Sequence, residues 1–134
     1  MASVIDSSIW VDCIRTGSPP ALRRQTRAIV MSPDITLSEP ILFELLRAVP
    51  KRDRARTEAL VATVPILATP SDLWQSARVL GQKCVDAGVL PPAIDLLIAQ
   101  VCLHHGVPIV TFDSHFQQIA KVSSLQVNLL VRSK

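Results

Sequence analysis

Glycine is scarce in this 134-residue sequence, with only four, at positions 17, 81, 88 and 106. Neither a Gly-rich dinucleotide fingerprint nor a phosphate-cradling P-loop can be assembled from them. Cysteine is equally sparse: Cys13, Cys84 and Cys102 are odd in number and far apart. No pair has the spacing of a zinc knuckle or a redox motif, so they read as reduced, mostly buried thiols suited to a reducing cytosol. No uncharged apolar run approaches the roughly 18 residues that a membrane span requires. The opening Met-Ala-Ser-Val-Ile-Asp lacks a basic segment and meets a charge at Asp6, so no signal peptide is read and a cytoplasmic location is expected. A Gly-x-Ser-x-Gly nucleophile elbow and a His-Glu-x-x-His zinc motif are also missing. Ser8 stands where a phosphatase built on Asp-x-Asp would need its second acid. His104 and His105 resemble a metal pair, but adjacent helical residues point roughly 100° apart. They read instead as partners of a helix C-terminal dipole.

What is present is the balance of a folded globular chain, 49% hydrophobic against 19% charged. No repeat, low-complexity tract or linker divides it, so residues 1–134 are expected to form one domain. Short β-branched runs alternate with longer helical patterns. Val4-Ile5, Ile35-Thr36-Leu37, Val64 to Leu67, Ile109-Val110-Thr111 and the region of Val127 read as strands. Helices are expected from about 7 to 15, through the twenties, from Ser38 toward Pro50, over 53–63, from Ser71 to Gly88, from Pro91-Pro92 to Gly106, and around Phe116 and Ile119. Ser38 suits an N-cap with Pro40 in the first turn. Ile41, Leu42, Leu45, Leu46 and Val49 form the inward face of that helix, and Leu73, Ala77, Leu80 and Cys84 that of the helix after Ser71. Trp10 and Trp74 are taken as core. The alternation argues for an α/β fold with a mainly parallel sheet covered by helices.

Against this frame four acids lie where burial disfavours charge. Asp6 directly follows Val4-Ile5, and Asp113 closely follows Ile109-Val110-Thr111. Both thus sit just past the carboxyl ends of strands, where open α/β sheets bind ligands. Asp95 is embedded in Ala93-Ile94-Asp95-Leu96-Leu97-Ile98-Ala99, and Glu44 lies among Ile41, Leu42, Phe43, Leu45 and Leu46. A buried carboxylate is protonated, paired or bound to metal. Two unit charges at ~4 Å repel by roughly 4 kcal/mol at an effective dielectric of about 20. No lysine or arginine adjoins Asp6, Asp95 or Asp113 in sequence. Oxygen donors without histidine or cysteine favour Mg²⁺ or Mn²⁺ over zinc, which suits phosphodiester chemistry. Each acid also has a plain structural role open to it. Asp6 and Asp113 can be N-caps, Asp95 can complement a helix dipole, and Glu44 can pair with Arg47.

The same segments resemble the PIN-domain nucleases, specifically the short VapC-type toxins of type II toxin–antitoxin systems. Val4-Ile5-Asp6-Ser7-Ser8-Ile9-Trp10-Val11-Asp12 is similar to that family's opening, and Phe43-Glu44-Leu45-Leu46 to its helical Glu-Leu-Leu element. Ala93 to Ala99 resembles its Asp-Leu-Leu-Ile-Ala signature, and Val110-Thr111-Phe112-Asp113-Ser114-His115-Phe116 its terminal Thr-x-Asp-x-x-Phe. The resemblance implies a PIN-like three-layer α/β/α sandwich. It implies Mg²⁺ or Mn²⁺ held by Asp6, Glu44, Asp95 and Asp113, with Ser8 and Thr111 as polar supports. It implies endonucleolytic cleavage of RNA leaving a 5′-phosphate, a homodimer, and inhibition by a cognate antitoxin. Asp12 reads as a surface acid. In many members a further acid directly precedes the final Phe, whereas here that residue is His115. One metal then suffices, or substrate phosphate helps to hold another.

Charge is the last feature. The net charge of +3 is modest, but Arg47, Lys51, Arg52, Arg54 and Arg56 crowd into ten residues relieved only by Asp53, and Arg23, Arg24 and Arg27 form a smaller group. The larger group is either a solvated helix face or an RNA phosphate patch. The competing functional class is a PIN-like module that binds RNA or protein without cutting. Retention of all four acids argues against it, because such a module gains nothing from their repulsion.

Overall fold

The structure is a computed structural model, and it describes residues 2–134. Its first unit is β1 (Ser3–Ile5), which runs through Asp6 into α1 (Ser7–Ile14). Then come α2 (Pro20–Val30), β2 (Ile35–Thr36), α3 (Glu39–Ala48), α4 (Lys51–Val61), α5 (Leu73–Asp86) and α6 (Ala93–His105). The chain closes with β3 (Ile109–Thr111), α7 (His115–Ala120) and β4 (Val127–Leu129). The strands form one parallel sheet in the order β2-β1-β3-β4. Val4 pairs with Ile109 and Ile5 with Val110.

That order positions the site. From β1 the chain moves to β2 on one side, and it returns to β3 on the other. The reversal opens a crevice between the carboxyl ends of β1 and β3. Successive strand residues point to opposite faces. Val4 and Ile5 are nevertheless both buried, as are Ile109, Val110 and Thr111. Both faces of the sheet are therefore covered, the condition of a three-layer α/β/α arrangement. Trp10, Ile9, Ile41, Leu45, Ile98, Phe116 and Ile119 fill the space between sheet and helices. Trp10 is fixed further by its indole N–H, which donates to the Ile5 carbonyl at 3.1 Å.

Local chemistry explains most boundaries. Ser38 caps α3, its Oγ accepting from the Ile41 N–H at 3.4 Å. The turn that closes α5 and the C-cap of α6 are made by Gly88 (φ 78°) and Gly106 (φ 65°), a backbone region that disfavours side chains with a Cβ. The expected strand at Val64 to Leu67 shrinks to one parallel bridge between Leu37 and Ile66, because Pro65 has no N–H for a ladder. Helix α5 starts at Leu73 rather than after Ser71, and no side chain caps it. The basic helix expected over 53–63 is α4, two residues earlier at each end. Leu42 and Leu46 are only half-buried, flanking the buried stripe of Ile41 and Leu45. Trp74 is a clear departure from expectation: it is 69% exposed. Leu73 points into the core, and the next helical residue is turned about 100° away toward water.

Candidate metal centre

Asp6 occupies the N-cap position of α1, yet its side chain caps nothing. Its Oδ2 accepts instead from the hydroxyls of Ser8 at 2.8 Å and Thr111 at 2.7 Å. The capping explanation for Asp6 therefore fails, and both expected supports, Ser8 and Thr111, touch it. Burial raises the Asp6 pKa above the ordinary carboxylate range, opposed by the two hydroxyl donors and reinforced by the charge of Glu44.

Glu44 projects from α3 and accepts from the hydroxyl of Ser7. It makes no ion pair with Arg47 among the described residues. Asp95 lies in the first turn of α6 and is 5% exposed. Its backbone N–H is already satisfied by the Pro92 carbonyl at 3.0 Å, and its side chain turns into the cleft. Burial, followed by the charges of Asp113, Asp6 and Glu44, pushes its pKa up to about 7, with His115 opposing. Asp113 has a double role. Its N–H donates to Thr111 Oγ1 at 2.8 Å, and its Oδ1 accepts the His115 N–H at 2.9 Å, which starts α7. The N-cap position of α7 is Ser114, so Asp113 stands one residue before it; its carboxylate turns the chain into the helix and stays on the rim of the cleft.

Asp6, Glu44, Asp95 and Asp113 all line one open cleft of about 460 Å³. Two of them, Asp95 and Asp113, group with His115 beside the cleft, each offering a donor atom within 4.8 Å of the other two. Asp6 and Glu44 stand outside that threesome. His115 Nδ1 lies 3.0 Å from Asp113 Oδ1 and 3.4 Å from Asp95 Oδ2. The approach is close enough for an ion pair, but neither His115 Nδ1 nor Asp95 Oδ2 has a hydrogen-bond partner among the described residues, and both atoms are buried. Orphaned buried polar atoms are rare. Two that face each other beside further carboxylates fit a cation seat, and the donor set suits a hard or borderline divalent ion.

Sequence reasoning missed three contributors. His115 fills the place of an acid in sequence, yet at the start of α7 it brings a ring nitrogen to Asp95 and Asp113. Ser7 supports Glu44 across 37 positions, a contact that no local spacing betrays. Asp12 is not a surface acid: it is 5% exposed and accepts from Arg132 Nε at 2.7 Å. Arg132 and Arg15 are the cations on the cleft wall. Arg47, Lys51, Arg52, Arg54 and Arg56 lie elsewhere. Arg52 and Arg56 pair with the buried Asp53, and Arg56 also donates to the Ile14 carbonyl at 2.9 Å. Arg56 meets Arg23 and Arg27 around a second cleft of about 290 Å³, so the two basic groups adjoin in space.

The PIN domain family model matches residues 3–122. Ribonuclease VapC11 of Mycobacterium tuberculosis is 32% identical over 127 residues, spanning 92% of this chain and 95% of its own length. Among solved structures, a chain of VapBC2 from Rickettsia felis superposes with a TM-score of 0.74 at 17% identity, covering 98% of this chain and all of that one. VapC20 of Mycobacterium tuberculosis, described as a sarcin–ricin loop cleaving toxin, superposes at 0.70 with 17% identity over 93% of this chain and 99% of its own. The sheet order, the acids at its switch point and these matches agree: the chain belongs to the PIN-domain family, within its VapC group.

Proposed function

We propose that residues 1–134 act as one nuclease domain, a divalent-metal-dependent endoribonuclease serving as the toxin of a type II toxin–antitoxin pair. The observation that carries this reading is the unpartnered, buried Oδ2 of Asp95 among three other carboxylates. A module that merely bound RNA would be stabilised by losing that group.

Asp6, Glu44, Asp95 and Asp113 hold Mg²⁺ or Mn²⁺ in this reading. A cation held there would acidify water and neutralise charge developing on the phosphodiester. The chain's own residues do the rest. Ser8 and Thr111 fix the Asp6 carboxylate, and Ser7 fixes that of Glu44. Arg132 and Arg15 offer positive charge for phosphates flanking the scissile one, which an otherwise acidic cleft would repel. The exposed basic residues of α4 supply a longer path for the RNA backbone.

Relatives named as VapC ribonucleases and neighbours solved as VapBC assemblies support an antitoxin partner. Large apolar side chains left in water, including Phe43, Trp74 and Leu90, provide surface for that partner and for a second copy in a homodimer. Among the described residues no helix is long and apolar enough to cross a membrane. A cytoplasmic location suits the RNA substrate and the free thiols.

The test is incubation of the purified chain with total RNA and Mg²⁺ or Mn²⁺, beside an EDTA control and an Asp95→Asn variant. Discrete fragments that vanish in both controls are expected. Intact RNA with a folded, metal-loaded protein, across messenger, transfer and ribosomal substrates, would favour the binding module.

A further inference from the structure

His115 is 44% exposed at its side chain, yet its Nδ1 is buried and turned inward toward two carboxylates. The backbone fixes where the residue sits. The His115 N–H is taken by Asp113 Oδ1 at 2.9 Å, which sets the ring at the head of α7 beside Asp113. Nδ1 then stands 3.0 Å from Asp113 Oδ1 and 3.4 Å from Asp95 Oδ2, in hydrogen-bond geometry with neither. Neighbouring donors around an octahedral ion with bonds of about 2.1 Å stand roughly 3 Å apart. Nδ1 therefore stands from each carboxylate oxygen at about the spacing of ligands sharing an ion, and the three residues offer donors within 4.8 Å of one another.

We infer that His115 Nδ1 is a direct ligand of the cation held by Asp95 and Asp113, and that this nitrogen makes the site select Mn²⁺ over Mg²⁺. The inference rests on the metal-site reading above and deepens it. Mg²⁺ is a hard ion that prefers oxygen and sheds water reluctantly, so an imidazole is a poor ligand for it. Mn²⁺ takes carboxylate oxygen as readily, and as the first ion of the transition series whose affinity for mixed nitrogen and oxygen sites rises toward Cu²⁺ it also accepts an imidazole nitrogen. A site with acids alone would discriminate weakly between the two. Replacing one oxygen donor by nitrogen penalises Mg²⁺ specifically.

Electron spin-echo spectroscopy of the Mn²⁺-loaded protein reads this directly, because a coordinated ring nitrogen modulates the echo. Modulation from ¹⁴N is expected in the wild-type protein, altered by ¹⁵N-histidine labelling and abolished in His115→Gln. His104 and His105 do not confuse the assignment, since they lie at the opposite end of α6 from Asp95. Equilibrium titration should show Mn²⁺ bound at least about tenfold more tightly than Mg²⁺, narrowing to within about threefold in His115→Asp. Both variants keep the backbone contact that starts α7, and melting curves establish that they fold. An echo without nitrogen modulation, or an Mn²⁺ to Mg²⁺ ratio unchanged in His115→Asp, overturns the inference. Failure here is separable from failure of the nuclease reading. Nitrogen-coordinated Mn²⁺ without RNA cleavage would sink only the latter, and metal-dependent cleavage without nitrogen coordination only the former.

Discussion

The hydroxyl of Thr111, at the end of β3, donates to Oδ2 of Asp6, just past β1, at 2.7 Å across 105 positions of sequence. The same Oγ1 accepts the N–H of Asp113 at 2.8 Å. One buried hydroxyl thus sets the relation between two cleft acids and ties together the strand ends that bound the crevice.

Thr111→Val keeps the shape and removes both bonds. A buried carboxylate deprived of a donor costs about 1–3 kcal/mol. The variant should lose stability of that order, measured by denaturant midpoint, and its RNA cleavage should fall more than its expression. Full activity in Thr111→Val would show that Ser8 alone can position Asp6.

Metal-free stability should depend on pH in an unusual direction. The Asp95 carboxyl keeps its proton up to about pH 7 when folded, against 3.8 as its ordinary value. The folded state therefore binds more protons across this window, and its stability rises as pH falls from above 7 toward 4. Burial of Asp6 acts in the same direction. In EDTA the melting temperature should be higher at pH 6 than at pH 8, with a smaller difference in Asp95→Asn. Saturating Mn²⁺ should reverse the trend, since ligands bind deprotonated, and at one hundred times Kd it should add about 2.7 kcal/mol.

Arg132 is held by Asp12, lies 4.7 Å over the Phe112 ring and lines the cleft. Its side chain is half-exposed, so the ion pair adds at most about 1 kcal/mol to stability. Arg132→Gln should scarcely move the melting temperature. In an Asp95→Asn background it should weaken single-stranded RNA binding and reduce the salt slope by about 0.7, the contribution of one phosphate. A slope equal to that of the parent would make Arg132 a tether for the C-terminal segment only.

Charge reversal at Lys51 and Arg54 probes the basic helix without disturbing Asp53 and its partners. Affinity for RNA should fall and its salt dependence flatten, as measured by fluorescence anisotropy. An unchanged slope would return this face to solvent or to antitoxin contact.

The four acids were legible because each broke a pattern. Asp95 interrupts an apolar helix, and Asp6 and Asp113 follow β-branched strands, so burial and place could be read together. Parallel strands buried on both faces and helices closed by Gly88 and Gly106 were legible for the same local reasons. What remained hidden depends on tertiary direction. Nothing in the spacing of Asp12 announces Arg132, 120 positions away. His115 was visible as a residue but not as a donor, because the direction of its ring, with Nδ1 toward Asp95 and Asp113, leaves no mark in the local spacing. Trp74 misled because bulk suggests core, whereas a helix that already buries Leu73 must turn the next residue outward.

The ends left on cleaved RNA test the central claim most directly. If cleft acids hold a cation that activates water, the products carry 5′-phosphate and 3′-hydroxyl ends, and a 2′-deoxy nucleotide at the scissile position is still cut. Products with 5′-hydroxyl and 2′,3′-cyclic phosphate ends, formed equally well in EDTA, would mean that the ribose attacks its own phosphate and that the carboxylates hold no catalytic metal.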